Sequence, residues 1–348
     1  MSENFNISQI SDYSHCLQCP RKCGVDRYSN QLGFCKEPAE LRIAFAGLHF
    51  GEEPLITVRG GSGTIFFTGC TLRCAFCQNY QISQDGLGRN VSSQEFAQIC
   101  QKLQSAGAEN INLVTGSHNI PLIAEGIRVA KESGVTIPFC WNSSAYESVE
   151  SLELLKGLVT IWLPDFKTLD NNLSKSLFSA QDYPQVAKNT IKWMIQNSPL
   201  EIQELDENGN LCKDSKKIKY EKMISGVIIR HLALPGRFED TAEVLAWLKE
   251  NADSKACISL MNQYTPVPFA EDTNILEKRK KALSVIENRL ISKEEDADIQ
   301  DLIEAYDFDY LFYQELSDDT SWLPDFTRKQ PFSNKLAKPL WHCNYQID

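Results

Sequence analysis

Between residues 64 and 261, short apolar runs alternate with longer amphipathic ones. Residues 64–69, 110–115, 136–141, 159–163, 226–232 and 256–261 are compact runs rich in Val, Ile, Leu or Phe. Each is bounded by Gly, Pro, Ser or Asn, a pattern that predicts strands. The intervening stretches 92–105, 120–132, 146–155, 183–195 and 238–249 predict helices. Ser92 or Ser93 can cap the first, and Gly107 and Gly134 stand where helix-ending glycines belong. Such alternation implies parallel strands joined by right-handed crossovers. Six units predict an α/β fold built as an incomplete (β/α) barrel of about six parallel strands. An open doubly wound sheet shows the same alternation, and the period alone does not separate the two.

Outside that stretch the pattern weakens. Residues 1–40 carry Cys, Gly, Lys and Arg with little apolar periodicity and read as a separate Cys-rich, metal-binding extension. Residues 41–63 form a connecting segment, with an apolar stretch over 41–50 and a turn at Gly60-Gly61-Ser62-Gly63. That glycine run precedes a strand rather than opening a helix, so it is no phosphate loop. The core spans 64–265. Within it, 201–222 is polar, with Asn208-Gly209 as a turn signal, and reads as an excursion before the fifth strand. Residues 266–348 form a C-terminal helical and irregular region. There 271–305 reads as helical, 306–315 as one further strand, and the tail with Pro324, Pro331 and Pro339 as irregular.

The net charge of −11 argues against general binding to nucleic acid or to an anionic membrane surface. No apolar run is long enough to span a bilayer, and residues 1–10 show neither a basic nor an apolar leader pattern, so a cytoplasmic protein is expected. Cysteine changes the picture. Seven of the 12 lie within the first 77 residues. In a reducing compartment such clustering points to metal binding or redox chemistry rather than disulfides.

Gly69-Cys70-Thr71-Leu72-Arg73-Cys74-Ala75-Phe76-Cys77 places three cysteines at Cys-x3-Cys-x2-Cys spacing in the loop after the first core strand. Three thiolates on one tight loop can hold three irons of a cubane cluster and leave the fourth open. A zinc site would want a fourth ligand, and no Cys or His follows until Cys100. An α/β barrel places its chemistry at this end of its strands.

With Phe76 before its third cysteine, this loop resembles the signature of the radical S-adenosylmethionine superfamily. The resemblance implies a 4Fe–4S cluster whose open iron chelates S-adenosylmethionine. One electron cleaves that cofactor to methionine and a 5′-deoxyadenosyl radical, which abstracts hydrogen from a substrate. Three further segments resemble the pyruvate formate-lyase activating enzyme branch. Trp162-Leu163-Pro164-Asp165-Phe166-Lys167 is similar to its Asp-x-Lys segment, which implies cofactor contacts from Asp165 and Lys167. Arg230-His231-Leu232-Ala233-Leu234-Pro235-Gly236 is similar to its Arg-His-x-x-x-Pro-Gly segment, which implies a cofactor contact from His231. Trp141-Asn142-Ser143-Ser144-Ala145 stands where the activases carry a segment near the ribose, which implies contacts from Asn142 and Ser143. There are departures. Asn142 replaces an aspartate, and Thr115-Gly116-Ser117-His118-Asn119 replaces the Gly-Gly-Glu of many superfamily members. The branch implies a flavodoxin- or ferredoxin-like reductant and a glycyl-radical enzyme as acceptor. A small molecule or a peptide is the alternative substrate.

Cys16, Cys19, Cys23 and Cys35 supply four more thiolates within 20 residues. Four ligands close a tetrahedral zinc site or fully ligate a second 4Fe–4S cluster. Both readings stay open on spacing. A non-catalytic iron–sulfur electron carrier using both cysteine sets is the rival function, and an open iron is what argues against it.

Overall fold

The computed structural model describes residues 10–212, 214–269, 273–333 and 335–347. Residues 1–9, most of the segment read above for a leader, lie outside them. The apolar stretch after residue 41 is a strand, β1 (Arg42–His49), paired antiparallel with β2 (Ser62–Phe67). From β2 onward the core strands run parallel: β3 (Ile111–Val114), β4 (Phe139–Ser143) and β5 (Ile161–Pro164). All four are buried along their whole length, as befits strands covered on both faces. After an antiparallel ribbon strand, β6 (Glu201–Leu205), come β7 (Tyr220–Leu232), β8 (Cys257–Met261) and β9 (Leu311–Tyr313), all parallel to the core. The last strand, β10 (Ala337–His342), returns antiparallel to β1.

The sheet order is β9-β8-β7-β5-β4-β3-β2-β1-β10, with β6 off the path. From β2 to β9 it follows the chain without reversing. A doubly wound sheet would reverse at a switch point. Sequential order of parallel strands is instead the geometry of a barrel, here left unclosed. The expected strand over 306–315 is β9, so seven parallel strands are present.

The crossover helices follow their local signals. Helix α1 (Ser93–Ser105) starts where Ser92 accepts the Glu95 N–H, and the chain leaves it through Gly107 at φ +96°. Helix α2 (Ile120–Glu132) has Pro121 in its first turn. Helix α3 (Asn171–Phe178), capped by Asp170, was not foreseen, because it is short and mostly polar. Helices α4 (Tyr183–Asn197) and α5 (Phe238–Asn251) agree with expectation, and α6 (Thr273–Leu283) and α7 (Lys293–Tyr306) fill the helical C-terminal stretch. Among the described residues, no helix is long and apolar enough to cross a membrane.

Three expectations change. The helix expected over 146–155 is one α-turn, Val149–Leu152, followed by a 3₁₀ turn. Its start is delayed because Glu147 is drawn inward to the Ser117 hydroxyl and Ser148 donates to the Gln18 carbonyl. The polar excursion over 201–222 is largely an antiparallel ribbon, β6 against the first half of β7. A ribbon exposed on one face needs few apolar residues, which hid it. The irregular tail contains β10, whose Pro339 faces Gly47 across the pair. Proline is tolerated there because β10 is an edge strand.

Candidate active site

The loop leaving β2 turns at Gly69, whose φ of +85° is open to glycine. A Cβ there would lie 2.2 Å from Glu37 Cγ and 3.0 Å from the Cys35 carbonyl oxygen. The loop then presents Cys70, Cys74 and Cys77 to one cavity of about 420 Å³ at the C-terminal ends of the strands. Cys70 Sγ accepts the backbone N–H groups of Leu72 at 3.3 Å and Arg73 at 3.5 Å, and Cys77 Sγ lies 3.2 Å from Ser83 Oγ. Burial pushes the Cys74 and Cys77 thiols up, and nearby Lys167 opposes the shift. Buried thiols of this kind become thiolates when a metal replaces the proton. The three sulfurs line a roomy cavity, and among the described residues no three Cys, His, Asp or Glu side chains converge as a single ion requires. Those features fit a cluster at the loop better than a lone ion.

Opposite the thiols the strand ends supply charge. Asp165 and Lys167 follow β5 and meet at 2.8 Å. Arg230, on β7, donates Nε to Asp165 Oδ1 at 2.8 Å and Nη2 to Asn142 Oδ1 at 2.6 Å. Glu52 lies 3.8 Å from the same guanidinium. Burial works against ionisation of Asp165, but Arg230 and Lys167 outweigh it and hold the carboxyl below its usual range. Burial likewise works against the Lys167 ammonium, and Asp165 more than restores it. Both groups are charged at neutral pH.

The backbone carrying this pair is fixed at each residue. The Tyr183 hydroxyl donates to the Asp165 carbonyl at 2.7 Å and accepts from the Lys167 N–H at 2.9 Å. His231 Nδ1 donates to the Phe166 carbonyl at 2.7 Å, which leaves Nε2 to accept from the Thr241 hydroxyl at 3.1 Å. Burial lowers the His231 pKa, so the ring is neutral.

The structure therefore brings Cys70, Cys74, Cys77, Asn142, Asp165 and Lys167 to one cavity wall. His231 and Ser143 lie behind that wall. Strand alternation turns Arg230 inward and His231 outward, and Ser143 Oγ accepts from the Ala145 N–H at 3.2 Å. Sequence reasoning had not singled out Arg230 as a site residue, although period-2 alternation in β7 would have separated it from His231. It also missed His49 and Glu52, which reach the cavity from the end of β1 and the turn after it.

Cys16, Cys19, Cys23 and Cys35 line a second, separate cavity of about 10 Å³. Beside them Arg27 is buried, and its partners are Cys16 Sγ at 3.9 Å, the His118 carbonyl at 2.8 Å, Asn119 Oδ1 at 2.8 Å and the Pro38 carbonyl. None of these is a carboxylate. Thiolates of a bound metal would add anionic charge beside this buried guanidinium, to that of the buried Glu37 carboxyl nearby.

Residues 64–199 match the Radical SAM superfamily. An uncharacterized protein of Methanocaldococcus jannaschii is 29% identical over 308 residues, covering 86% of this chain and 77% of that protein. Among solved structures, Streptococcus suis SuiB bound to S-adenosylmethionine is 14% identical at a TM-score of 0.45, over 71% of this chain and 48% of SuiB. This chain thus spans about half the length of SuiB. Methylornithine synthase is 13% identical at a TM-score of 0.45, over 80% of this chain and 73% of that one. The superfamily match begins in β2, runs through the loop bearing Cys70, Cys74 and Cys77, and continues past Asp165 and Lys167.

Proposed function

We propose that the chain holds a 4Fe–4S cluster on Cys70, Cys74 and Cys77, reductively cleaves S-adenosylmethionine at it, and abstracts a hydrogen atom from a substrate. One observation carries this reading: a single cavity joins the three thiols to Asn142, Asp165, Lys167 and Arg230. When bound, cluster and cofactor supply the electron and the radical chemistry. The chain's own residues bind and orient. The Lys167 ammonium is placed to neutralise a carboxylate, and Asp165, whose oxygens already accept from Lys167 and Arg230, keeps lone pairs that can accept from an ammonium. Arg230 fixes Asp165 and Asn142 in one arrangement, so neither has to reorganise when the cofactor enters. Anaerobic iron reconstitution, reduction with dithionite and assay for 5′-deoxyadenosine test the proposal. A chain that assembles its iron but leaves S-adenosylmethionine intact is an electron carrier instead.

For the acceptor we favour a glycyl-radical enzyme. Support comes from the likeness of residues 162–167 and 230–236 to the activating-enzyme segments. An acceptor protein prepared with deuterated glycine should pass deuterium to 5′-deoxyadenosine. If label never transfers, a small molecule or another peptide takes its place. Residues 1–40 are read as an extension carrying a second metal centre at Cys16, Cys19, Cys23 and Cys35.

A further inference from the structure

Helix α6 carries Lys278, Arg279, Lys280 and Lys281 in succession. The three lysines are exposed, and Arg279 alone turns inward, at 8% exposure. Taking a guanidinium out of water is costly unless polar groups meet it. Two such groups lie at the cysteine loop. Arg279 Nη1 donates to the Ala75 carbonyl at 2.9 Å, and Nη2 donates to Gln84 Oε1 at 3.2 Å. The Cζ atom sits 3.6 Å from the centroid of the Phe269 ring, a cation–π contact that fixes the guanidinium plane.

Ala75 stands between Cys74 and Cys77, so the contact falls inside the loop itself. Gln84 extends it by one residue, since its Nε2 donates to the Cys74 carbonyl at 2.9 Å. That carbonyl also accepts the Cys77 N–H at 3.1 Å, which closes the turn between the two thiols. Arg279 thus holds the Ala75 carbonyl directly and the Cys74 carbonyl through Gln84. Its helix is tied in turn to α3, where Ser176 Oγ donates to the Ala282 carbonyl at 3.1 Å. From the same helix α3 the Leu177 carbonyl accepts the Ala75 N–H at 2.9 Å. A neutral amide could also donate to a carbonyl. What a guanidinium adds is a rigid fork and a permanent charge.

We infer that Arg279 is a positioning residue for the open cluster: its fork sets the turn that presents Cys74 and Cys77, and its charge favours the reduced state of a cluster held there. This rests on the reading of Cys70, Cys74 and Cys77 as ligands given above. The external reductant supplies the one electron that the cluster gains, and Arg279 itself exchanges neither a proton nor an electron. Reduction adds a negative charge, and a cation fixed beside the loop lowers the free energy of adding it. Net charge and hydrogen bonding around a cluster are among the terms that set its potential. The superfamily match ends at residue 199, so this control reaches the loop from a helix outside the matched residues.

The test is a redox titration of the reconstituted full-length chain before S-adenosylmethionine is added. It follows the open cluster's electron-spin signal, identified as the one that changes when the cofactor is then supplied. Arg279→Gln should keep the wild-type iron content. At the wild-type midpoint its ratio of reduced to oxidised cluster should be about tenfold lower, a downward shift of about 59 mV for one electron. Arg279→Lys keeps the charge and loses the fork, so its ratio should stay within about twofold of wild type while the line shape of the signal changes. Lys278→Gln removes an exposed charge from the same helix and should leave ratio and line shape alike at wild type. A wild-type ratio in Arg279→Gln overturns the inference and leaves Arg279 a core anchor. An equal fall in Lys278→Gln overturns it too, by tracing the effect to overall charge. Should Arg279→Gln fail to fold, Arg279→Lys decides: a tenfold fall there, with the charge retained, overturns the role of charge. A wild type whose signal ignores S-adenosylmethionine overturns the reading of the open cluster instead, so the two failures are distinguishable.

Discussion

Lys167 and Asp165 sit two residues apart after a strand, so their side chains share a face, and Arg230 from the neighbouring strand completes the set. Each cation has its own task. Arg230 is bound up by Asp165 and Asn142, which leaves Lys167 as the cation with bonding capacity toward a ligand carboxylate. Lys167→Met should therefore weaken S-adenosylmethionine binding by about 1.5–3 kcal/mol, roughly ten- to hundredfold in Kd, while the cluster's absorbance is retained. Titration of the cofactor against the electron-spin signal measures it, and an unchanged Kd would return Lys167 to a local ion pair. On the proposed reading each of these thiols holds one iron, so Ala at Cys70, Cys74 or Cys77 should instead abolish reductive cleavage outright and lower the iron content. Wild-type 5′-deoxyadenosine yield from any of the three would defeat the ligand assignment. At Gly69 an added Cβ collides with Glu37 Cγ at 2.2 Å, so Gly69→Ala should cost about 1–3 kcal/mol in chemical denaturation.

At the level of elements, the strand–helix alternation was legible because parallel strands buried on both faces must be continuously apolar, and residues 64–261 show that outside the polar stretch over 201–222. The cysteine loop was legible because its spacing is local. The ribbon of β6 and β7 and the edge strand β10 were not, since elements with one exposed face or a proline carry weak apolar signals. Neither was the division of labour in Arg230-His231. Adjacent residues look equivalent in sequence, and only the register of β7 decides which enters the cavity. Helix α7 shows a signal that reads correctly at both levels. Ser292 accepts the Glu295 N–H at 3.2 Å, and Glu295 accepts the Ser292 N–H at 2.8 Å, a reciprocal cap. Ser292→Ala should cost about 1 kcal/mol. Burial works against ionisation of Glu295, but Arg289 and the N–H groups of Ser292 and Gly236 outweigh it and hold the carboxyl down at about 2. A folded-state pKa below the unfolded value means stability that is full above the ordinary glutamate range and lost as pH falls toward that value. Urea denaturation should thus show Glu295→Gln less stable than the wild type at pH 6, with the gap narrowed at pH 3.5. A gap that widened on acidification would contradict the sign.

Across the whole molecule, the chain's end closes over its beginning. After β9 the chain crosses back, and Trp322, Phe332 and Leu336 line the same cavity as the three thiols. The strand β10 then pairs with β1. The anchor of this roof is Phe326, which is fully buried. Its ring centroid lies 5.2 Å from that of Phe66 on β2, 5.6 Å from Phe332 and 6.2 Å from Phe45 on β1. Its backbone is held as well: the N–H donates to Gln81 Oε1 at 2.7 Å, and the carbonyl accepts from His342 Nε2 at 3.1 Å. Gln81 belongs to the short helix that follows the cysteine loop, so one residue ties the roof to the segment next to that loop. Phe326→Ala removes a large buried ring at a place where aromatic neighbours cannot close the gap, and should cost about 3–5 kcal/mol in chemical denaturation. The loss should not stop at stability. With the roof loosened, water and oxygen gain access to a cavity in which Cys70 and Cys74 are buried and Cys77 is half-buried, so a cluster held there should bleach faster in air than in the wild type. An exposed site remote from the cavity, Tyr310→Ala, serves as the control, since Tyr310 is 40% exposed and its loss should leave both readings near wild type. Loss of stability without faster bleaching would make Phe326 a core residue alone and would separate the roof from protection of the cluster.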